Sequence, residues 1–479
     1  MIENQNQDSK LTDRIAANPR PALVWAAIGV VLILPEVGAL VQAVGGLLSA
    51  VLGVLGQAEV AASIKAFGDQ IPTLLSRDVI GNSGHYNGTT WEGNFLGLEP
   101  GIAWFIRVAL VYAYSAVFIG WLINGYFRYR EHYREADWTP GDDIVNRFRR
   151  HSWGKFGFVV VAIFLVMAVF APAIGPTTVD KNIRNPYSNE ITYWDEEVSS
   201  IESMAVGDAN IQSSSKGSPD RNVGPMQYDD FGRFHPFGTT TDGKDLFTFV
   251  ASGARVSLSI ALLSIMLAAG MALLLALVTA YYKGIADLAA VLASDSVQAI
   301  PMFMLLIIVF VVFSGTWLGD LYDGAALMVG IFFVLYWPSL WRAVRGPALQ
   351  VSGQEWIDAA ESFGQAPLVI MKKHMAPYVI GYLLVYSSMT LGGIIIAIAG
   401  LSFIGLGIAP PTPEWGRLIT DGQPYVASVS WHISLLPGLI ITLVVTGFNA
   451  LGDGVRDAID PQSEGGESTE AAAAGGSGV

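Results

Sequence analysis

The sequence contains no cysteine, which removes structural disulfides, thiolate metal sites and cysteine nucleophiles in one step. It is also poor in charge: 14% of its 479 residues are Asp, Glu, Lys or Arg, against 52% hydrophobic, more apolar matter than a water-soluble core needs. The histidines, His85, His132, His151, His235, His374 and His432, are scattered. They form no His-Glu-x-x-His cluster and no nucleophile–base pairing, so a membrane-embedded hydrolase lacks its chemistry and no metal or catalytic residue is expected. No Gly-rich loop ends in Gly-Lys-Ser or Gly-Lys-Thr, so the chain has no visible nucleotide site of its own. The surplus of 41 acidic over 27 basic residues argues against a nucleic-acid partner and suits strongly ionic water.

What the sequence does have is long apolar runs, and each run of ~20 residues is long enough to cross a bilayer as a helix. Eight are expected. The first follows Lys10, Arg14 and Arg20, starts at Pro21 and stays apolar and Gly-rich to about Gly56, too long for a signal peptide, and reads as one span with an interfacial helix after it. The others lie near 102–123, 156–174, 256–282, 290–313, 325–341, 378–405 and 433–452. With eight crossings both termini share a side. Arg128, Arg130, Arg147, Arg149, Arg150, Lys155, Lys283, Arg342, Arg345, Lys372, Lys373 and Arg456 all fall on it, and the positive-inside tendency makes that side cytoplasmic, with membrane lipid as the basic loop's neighbour.

The hydrophilic stretch 176–249 then lies outside. Its turn chemistry, Gly217-Ser218-Pro219-Asp220 and Asp229-Asp230-Phe231-Gly232, suggests a small ordered lobe. The sequon Asn87-Gly88-Thr89 sits in the loop between the first two spans, where a glycosylated and a plain asparagine are equally compatible with the residues. Residues 462–479, mostly Gly, Ala, Ser and Glu, read as a disordered tail.

The longest inner loop of the second half, 342–377, holds Glu355-Trp356-Ile357-Asp358-Ala359-Ala360-Glu361-Ser362-Phe363-Gly364, then Lys372-Lys373-His374-Met375-Ala376-Pro377. It reads as a short helix, a hinge and a second helix: the alanines let another protein approach the backbone closely, Gly364 permits the turn, and Pro367 suits a first helical turn. This stretch resembles the EAA loop of ABC importer permeases. Four further blocks resemble the C-type permease subunit of dipeptide and oligopeptide importers, in that family's order. They are His235-Pro236-Phe237-Gly238-Thr239 with Asp242-Gly243-Lys244-Asp245; Gly253-Ala254-Arg255-Val256-Ser257-Leu258; Gly400 to Gly407, including Ser402 and Gly405, followed by Pro410-Pro411-Thr412-Pro413-Glu414-Trp415-Gly416; and Asn449 to Asp457, including Gly452 and Asp453.

The resemblance covers about Arg147 to Pro461 and implies an all-α integral membrane fold with the family's six-helix type I permease core over 147–461. Residues 1–146 are then an extension with two additional spans and no assigned task. It implies that Glu355, Asp358, Ala359, Ala360, Glu361, Gly364 and Pro377 form a coupling helix gripped by a cytoplasmic ATPase, with Asp358 standing where the family places a glutamate. It also implies two ATP-binding subunits that use ATP and Mg, a homologous second permease, an external solute-binding protein, and import of dipeptides or oligopeptides. Relatives carrying nickel, opines or sugars keep the solute open. An ion-driven secondary transporter is the rival class, but no inverted repeat of broken helices is visible. Asp287 and Asp295 match a pair of family aspartates, whereas the arginine often found between them is Leu292 here. That leaves Asp295 without the neighbour, and with Lys283 and Gly284 just upstream the pair reads as a solvated helix start. Ser257 and a kink at Pro301 are candidates to line a pathway, the serines Ser259, Ser264, Ser294 and Ser296 and Gln298 either lining it or bonding neighbouring helices.

Overall fold

A computed structural model describes residues 11–42, 44–45, 73–136, 138–213, 222–313 and 315–459, with isolated positions between 59 and 71. Lys10, the Gly217–Asp220 turn, the run from Gly46 to Gly56 and the tail 462–479 lie outside the described residues. Among the described residues seven helices are long and apolar enough to cross a membrane: Pro19–Gln42, Pro100–His132, Ser152–Val169, Leu246–Tyr282, Ala325–Ser352, Pro367–Phe403 and His432–Ile459. The expected span at 290–313 is two helices, Gly284–Gln298 and Met302–Phe313, bent by 78°. Pro301 stands at the break, where its ring and missing N–H end a helix.

The bent pair nonetheless crosses the whole bundle. Asp287, in its first helix, pairs with Arg345 near the end of Ala325–Ser352. Beyond its second helix Asp323 takes the backbone N–H of Ala409 at 2.8 Å, at the opposite end. The protein is therefore a mostly helical multi-pass membrane protein with up to eight spans, all of them helices, called here the first to the eighth, the bent pair being the fifth.

Small residues allow the spans to meet backbone to backbone, as helices in lipid require. Ala254, Ala261, Ala268, Ala272, Ala276 and Ala280 of the fourth span are all fully buried in the main core cluster, where that span lies along the sixth. The third and eighth spans cross on glycines: a Cβ on Gly154 would come within 2.8 Å of the Gly454 Cα, and one on Gly157 within 2.3 Å of the Leu451 nitrogen.

The segment between the third and fourth spans is ordered into two antiparallel ribbons, Glu190–Asp195 with Ser200–Ala205 and Gln227–Tyr228 with Phe234–His235. The Asp229 turn forms as its residue types suggest: Asp229 Oδ1 accepts the N–H groups of Phe231 and Arg233, and Gly232 takes φ +72°.

The extension is built into this lobe. Its two spans are joined by stacked Trp25 and Trp121, centroids 4.3 Å apart, each indole N–H donating to the other residue's carbonyl at 3.1 and 3.0 Å. From the second span Trp104 donates to Ile174 O at 2.7 Å. The wholly buried Arg107 donates to Ile80 O at 2.6 Å and Gly175 O at 3.0 Å. At the other end Arg134 Nη1 donates to both carboxylate oxygens of Asp142, at 2.8 and 3.0 Å, joining the second span to the helix Pro140–Arg150.

Candidate functional site

The helix Glu355–Ser362 ends in a Schellman cap: Gly364 N–H donates to Glu361 O at 2.8 Å and Gln365 N–H to Ala360 O at 3.2 Å, with Gly364 at φ +74°. No atom lies within 4 Å of a Cβ added at Gly364, so the glycine is there for its backbone and not for space. Ile357 and Ala360 bury one face against the bundle, at 2% and 5% exposure. Glu355, Asp358 and Ala359 are exposed, and Glu361, also exposed, hydrogen-bonds to Tyr281 of the fourth span. The sequence offers Ala359 and Ala360 alike as small residues for close approach of a partner. Helical geometry places adjacent residues about 100° apart, and here one faces inward and one outward. Past the cap the exposed surface continues through Phe363 at 87% and Leu368 at 72%, with Trp356 stacked on Tyr378 behind it. Pro377 lies in the first turn after a π-type turn, Met371–Met375.

The Gly400–Gly416 block closes the lobe end of the seventh span. Gly405 and Gly407 both take positive φ, +81° and +110°, and a Cβ on Gly407 would strike the Met328 methyl at 2.5 Å. Pro411 is exposed. Glu414 is fully buried and caps the next helix, its Oε2 accepting from Gly416 N at 2.6 Å and Arg417 N at 3.2 Å. Burial holds this carboxyl above the usual carboxylate range, outweighing those donors. Trp415, 0% exposed, donates its indole N–H to Val250 O at 2.8 Å and lies over Gly253, where a Cβ would come within 2.8 Å of the ring. Gly416 packs on the Ala399 backbone, and Ser402 is buried nearby.

The His235–Asp245 block forms the entrance to the fourth span. Asp245 caps that helix through Oδ1, 2.7 Å from Thr248 N, while its Oδ2 meets His235 Nδ1 at 2.9 Å. His235 Nε2 faces Asp229 at 3.4 Å, and Arg233 holds Asp229 at 2.6 Å. Burial alone would raise Asp229, but the His235 bond and the Arg233 charge hold it at about 2. Burial alone would lower His235, and its two aspartates outweigh that and raise it. Gly238, at φ +78°, leaves no room for a side chain beside Val223 O and His432.

The remaining candidates are dispersed. Arg255 is exposed, Gly452 packs on Met389 and Asp453 is half-buried. Ser257 is 1% exposed inside the bundle. Ser259, Ser264 and Ser296 donate to carbonyls of their own helices, four residues back, and not to a neighbouring helix among the described residues. The expectation that Asp295 lacks a basic partner is corrected: Arg342 of the sixth span pairs with it, and Arg345 forks onto Asp287 at 2.7 and 2.5 Å. The charge that Leu292 does not supply comes from a helix next in the bundle but distant in sequence, which no reading of the local motif could find.

Two stretches match known families. Residues 139–190 match the N-terminal TM domain of oligopeptide transport permease C, and residues 256–464 match the binding-protein-dependent transport system inner membrane component. Similar proteins include the glutathione transport system permease protein GsiD of Escherichia coli O1:K1 / APEC and that of Shigella boydii serotype 4 (strain Sb227). Each is 31% identical over 327 residues, covering 68% of this chain and 92% of the relative. The protein of that name from Shigella dysenteriae serotype 1 (strain Sd197) is 30% identical over the same coverage.

Proposed function

Since the chain belongs to the family of binding-protein-dependent transport system inner membrane components, the permeases of ABC importers, we propose that it imports small peptides and takes its energy from cytoplasmic ATPase subunits through the helix Glu355–Ser362. The family is one of transport and not of catalysis. The observation that carries the coupling is the form of that helix: anchored inward by Ile357 and Ala360, stopped by the Gly364 cap, and leaving Asp358, Ala359, Glu361 and Phe363 exposed. A short rigid element with an exposed aromatic at its tip is what a partner's groove can hold and move.

In this reading ATP binding, with Mg, closes two ATPase subunits, the helix follows them, and the attached spans tilt as rigid bodies to switch access from one side to the other. A second, homologous permease completes the pathway and an external binding protein delivers the solute. The basic loops and the helix Glu355–Ser362 share one end of the bundle, which supports a cytoplasmic placement for that end and for both termini. The peptide class is supported by the relatives' named solute, since glutathione is itself a tripeptide.

The test is co-purification of the chain with ATPase subunits encoded beside it, with uptake of labelled glutathione and of a labelled dipeptide into proteoliposomes. Ala359→Trp is expected to abolish both association and uptake while the chain remains in the membrane. A complex that lacks any ATPase, or normal uptake by Ala359→Trp, refutes the assignment.

A further inference from the structure

The fifth span is held only lightly by packing. Its first helix, Gly284–Gln298, buries only Ala290 and Ser294, and its second, Met302–Phe313, only Leu306 and Phe310. Both ends of the first helix are hinges. Lys283 and Gly284 take φ +53° and +54°, and the 78° bend follows at Pro301. A non-glycine residue in the left-handed region is a costly conformation, placed where the chain reverses direction.

What ties this helix to the bundle is charge. Arg345 forks onto both oxygens of Asp287, at 2.7 and 2.5 Å. Two turns further along, Arg342 pairs with Asp295 and reaches Gln298 Oε1 at 3.3 Å, while Gln298 donates to Ser294 at 3.0 Å. Both arginines come from the sixth span, which ends at Ser352; only Gly353 and Gln354 separate it from the helix Glu355–Ser362. A displacement of that exposed helix therefore acts first on the sixth span and, through the two arginines, on Gly284–Gln298.

Building on the permease assignment, we propose that Arg345–Asp287 and Arg342–Asp295 form a two-point ionic tie that makes the hinged half of the fifth span follow the coupling helix during transport. The four residues are positioning residues. Pairs of this kind, a fifth to a half exposed, add little to stability. Their value here is geometric, because a forked guanidinium fixes direction as well as distance.

The absence of cysteine makes the experiment direct. Spin labels are attached at Leu292→Cys on the half-span and Val198→Cys in the lobe, both exposed, at 58% and 66%. Their separation is measured in the complex with its ATPase, nucleotide-free and trapped with ATP and vanadate. The parent is expected to shift by a few ångströms, on the scale of helix movements in switching proteins. Asp287→Asn with Asp295→Asn should remove the shift and lower solute moved per ATP hydrolysed by about tenfold. The charge reversal Asp287→Arg with Arg345→Asp should restore both relative to either single reversal.

If no ATPase accompanies the parent, the proposed ATPase coupling fails, an outcome distinct from failure of the tie itself. If the ATPase is present and hydrolysing but the parent shows no shift, or the Asn variant keeps the shift and the stoichiometry, the tie is wrong. The Asn variant is nearly isosteric, so it decides the matter even when the reversals fail to accumulate.

Discussion

Trp415→Ala removes an indole that is wholly buried where the third, fourth and seventh spans converge. Three things go with it: the ring contact to Phe164 at 5.7 Å, the face covering Gly253, and the N–H bond to Val250. Emptying a core site of that size costs about 3–5 kcal/mol. Trp415→Phe keeps most of the packing. Val250 lies inside the fourth span, so its carbonyl retains a helical donor, and the loss is the net worth of one hydrogen bond, about 1 kcal/mol. At ~2 °C per kcal/mol for a large domain, the alanine variant should melt ~6–10 °C below the parent and the phenylalanine variant ~2 °C below. Fluorescence-monitored melting of detergent-solubilised protein reads this directly. Gly253→Val should be harmful alone and add little to Trp415→Ala, because the ring it would strike is gone. An alanine variant melting within about 2 °C of the parent, or phenylalanine as damaging as alanine, refutes the claim that this residue locks the spans.

The lobe should be stable in a defined pH window. His235 has a raised folded value, so its stabilisation is complete below the ordinary 6.5 and is lost as pH rises through the folded value; Asp229 is depressed from 3.8 to about 2, so its share is present above 3.8 and is lost as pH falls towards 2. Protection of the 227–235 amides, taken relative to their intrinsic exchange rate at each pH, should be greatest between these limits, and His235→Gln should flatten its alkaline side; an alkaline limb unchanged in His235→Gln contradicts the assignment. Ala359→Trp and Ala360→Trp should differ in kind, the first leaving melting unchanged while blocking ATPase association, the second lowering the melting temperature, since Ala360 faces the bundle. Equal melting of the two variants would show that the helix face is misassigned. Arg107→Met should leave the carbonyls of Ile80 and Gly175 short of donors and make the 73–98 loop several-fold more protease-sensitive, as local opening predicts; unchanged digestion would mean the arginine is not what holds the extension.

The spans were legible because lipid imposes a one-dimensional signal: each crossing must satisfy its own backbone and be apolar for its whole length. The apolar runs at 102–123 and 433–452 accordingly sit inside longer helices, and Pro301 announced the bend it stands beside. Motif spacing located the helix that begins at Glu355 and the turn at Gly364. Which alanine faces outward was not legible, since neither residue type nor spacing tells a partner's groove from the chain's own bundle. Nor was the partner of Asp295, because Arg342 lies far along the chain and only the packing of the fifth span against the sixth brings it near. The same holds for the extension: nothing in the sequence around Arg107 announces that its donors reach Gly175.

The contacts at the lobe end and those that hold the fifth span differ in kind, and the difference bears on how the bundle can move. At the lobe end the contacts are buried and directional: Trp415 on Val250, Arg107 on Gly175, His235 between two aspartates, Glu414 within a helix cap. Separating any of these exposes an unsatisfied polar group where there is little water to receive it, so this end resists opening. At the opposite end the fifth span is tied to the sixth by partly exposed ion pairs, and the helix Glu355–Ser362 buries only Ile357 and Ala360, with Trp356 stacked on Tyr378 beside them. Contacts of that type exchange with water at little cost. If the helix Glu355–Ser362 is driven as proposed, the force meets its stiffest resistance at the lobe and less at the fifth span, and the bundle should pivot about the lobe end, with Gly284–Gln298 making the largest excursion.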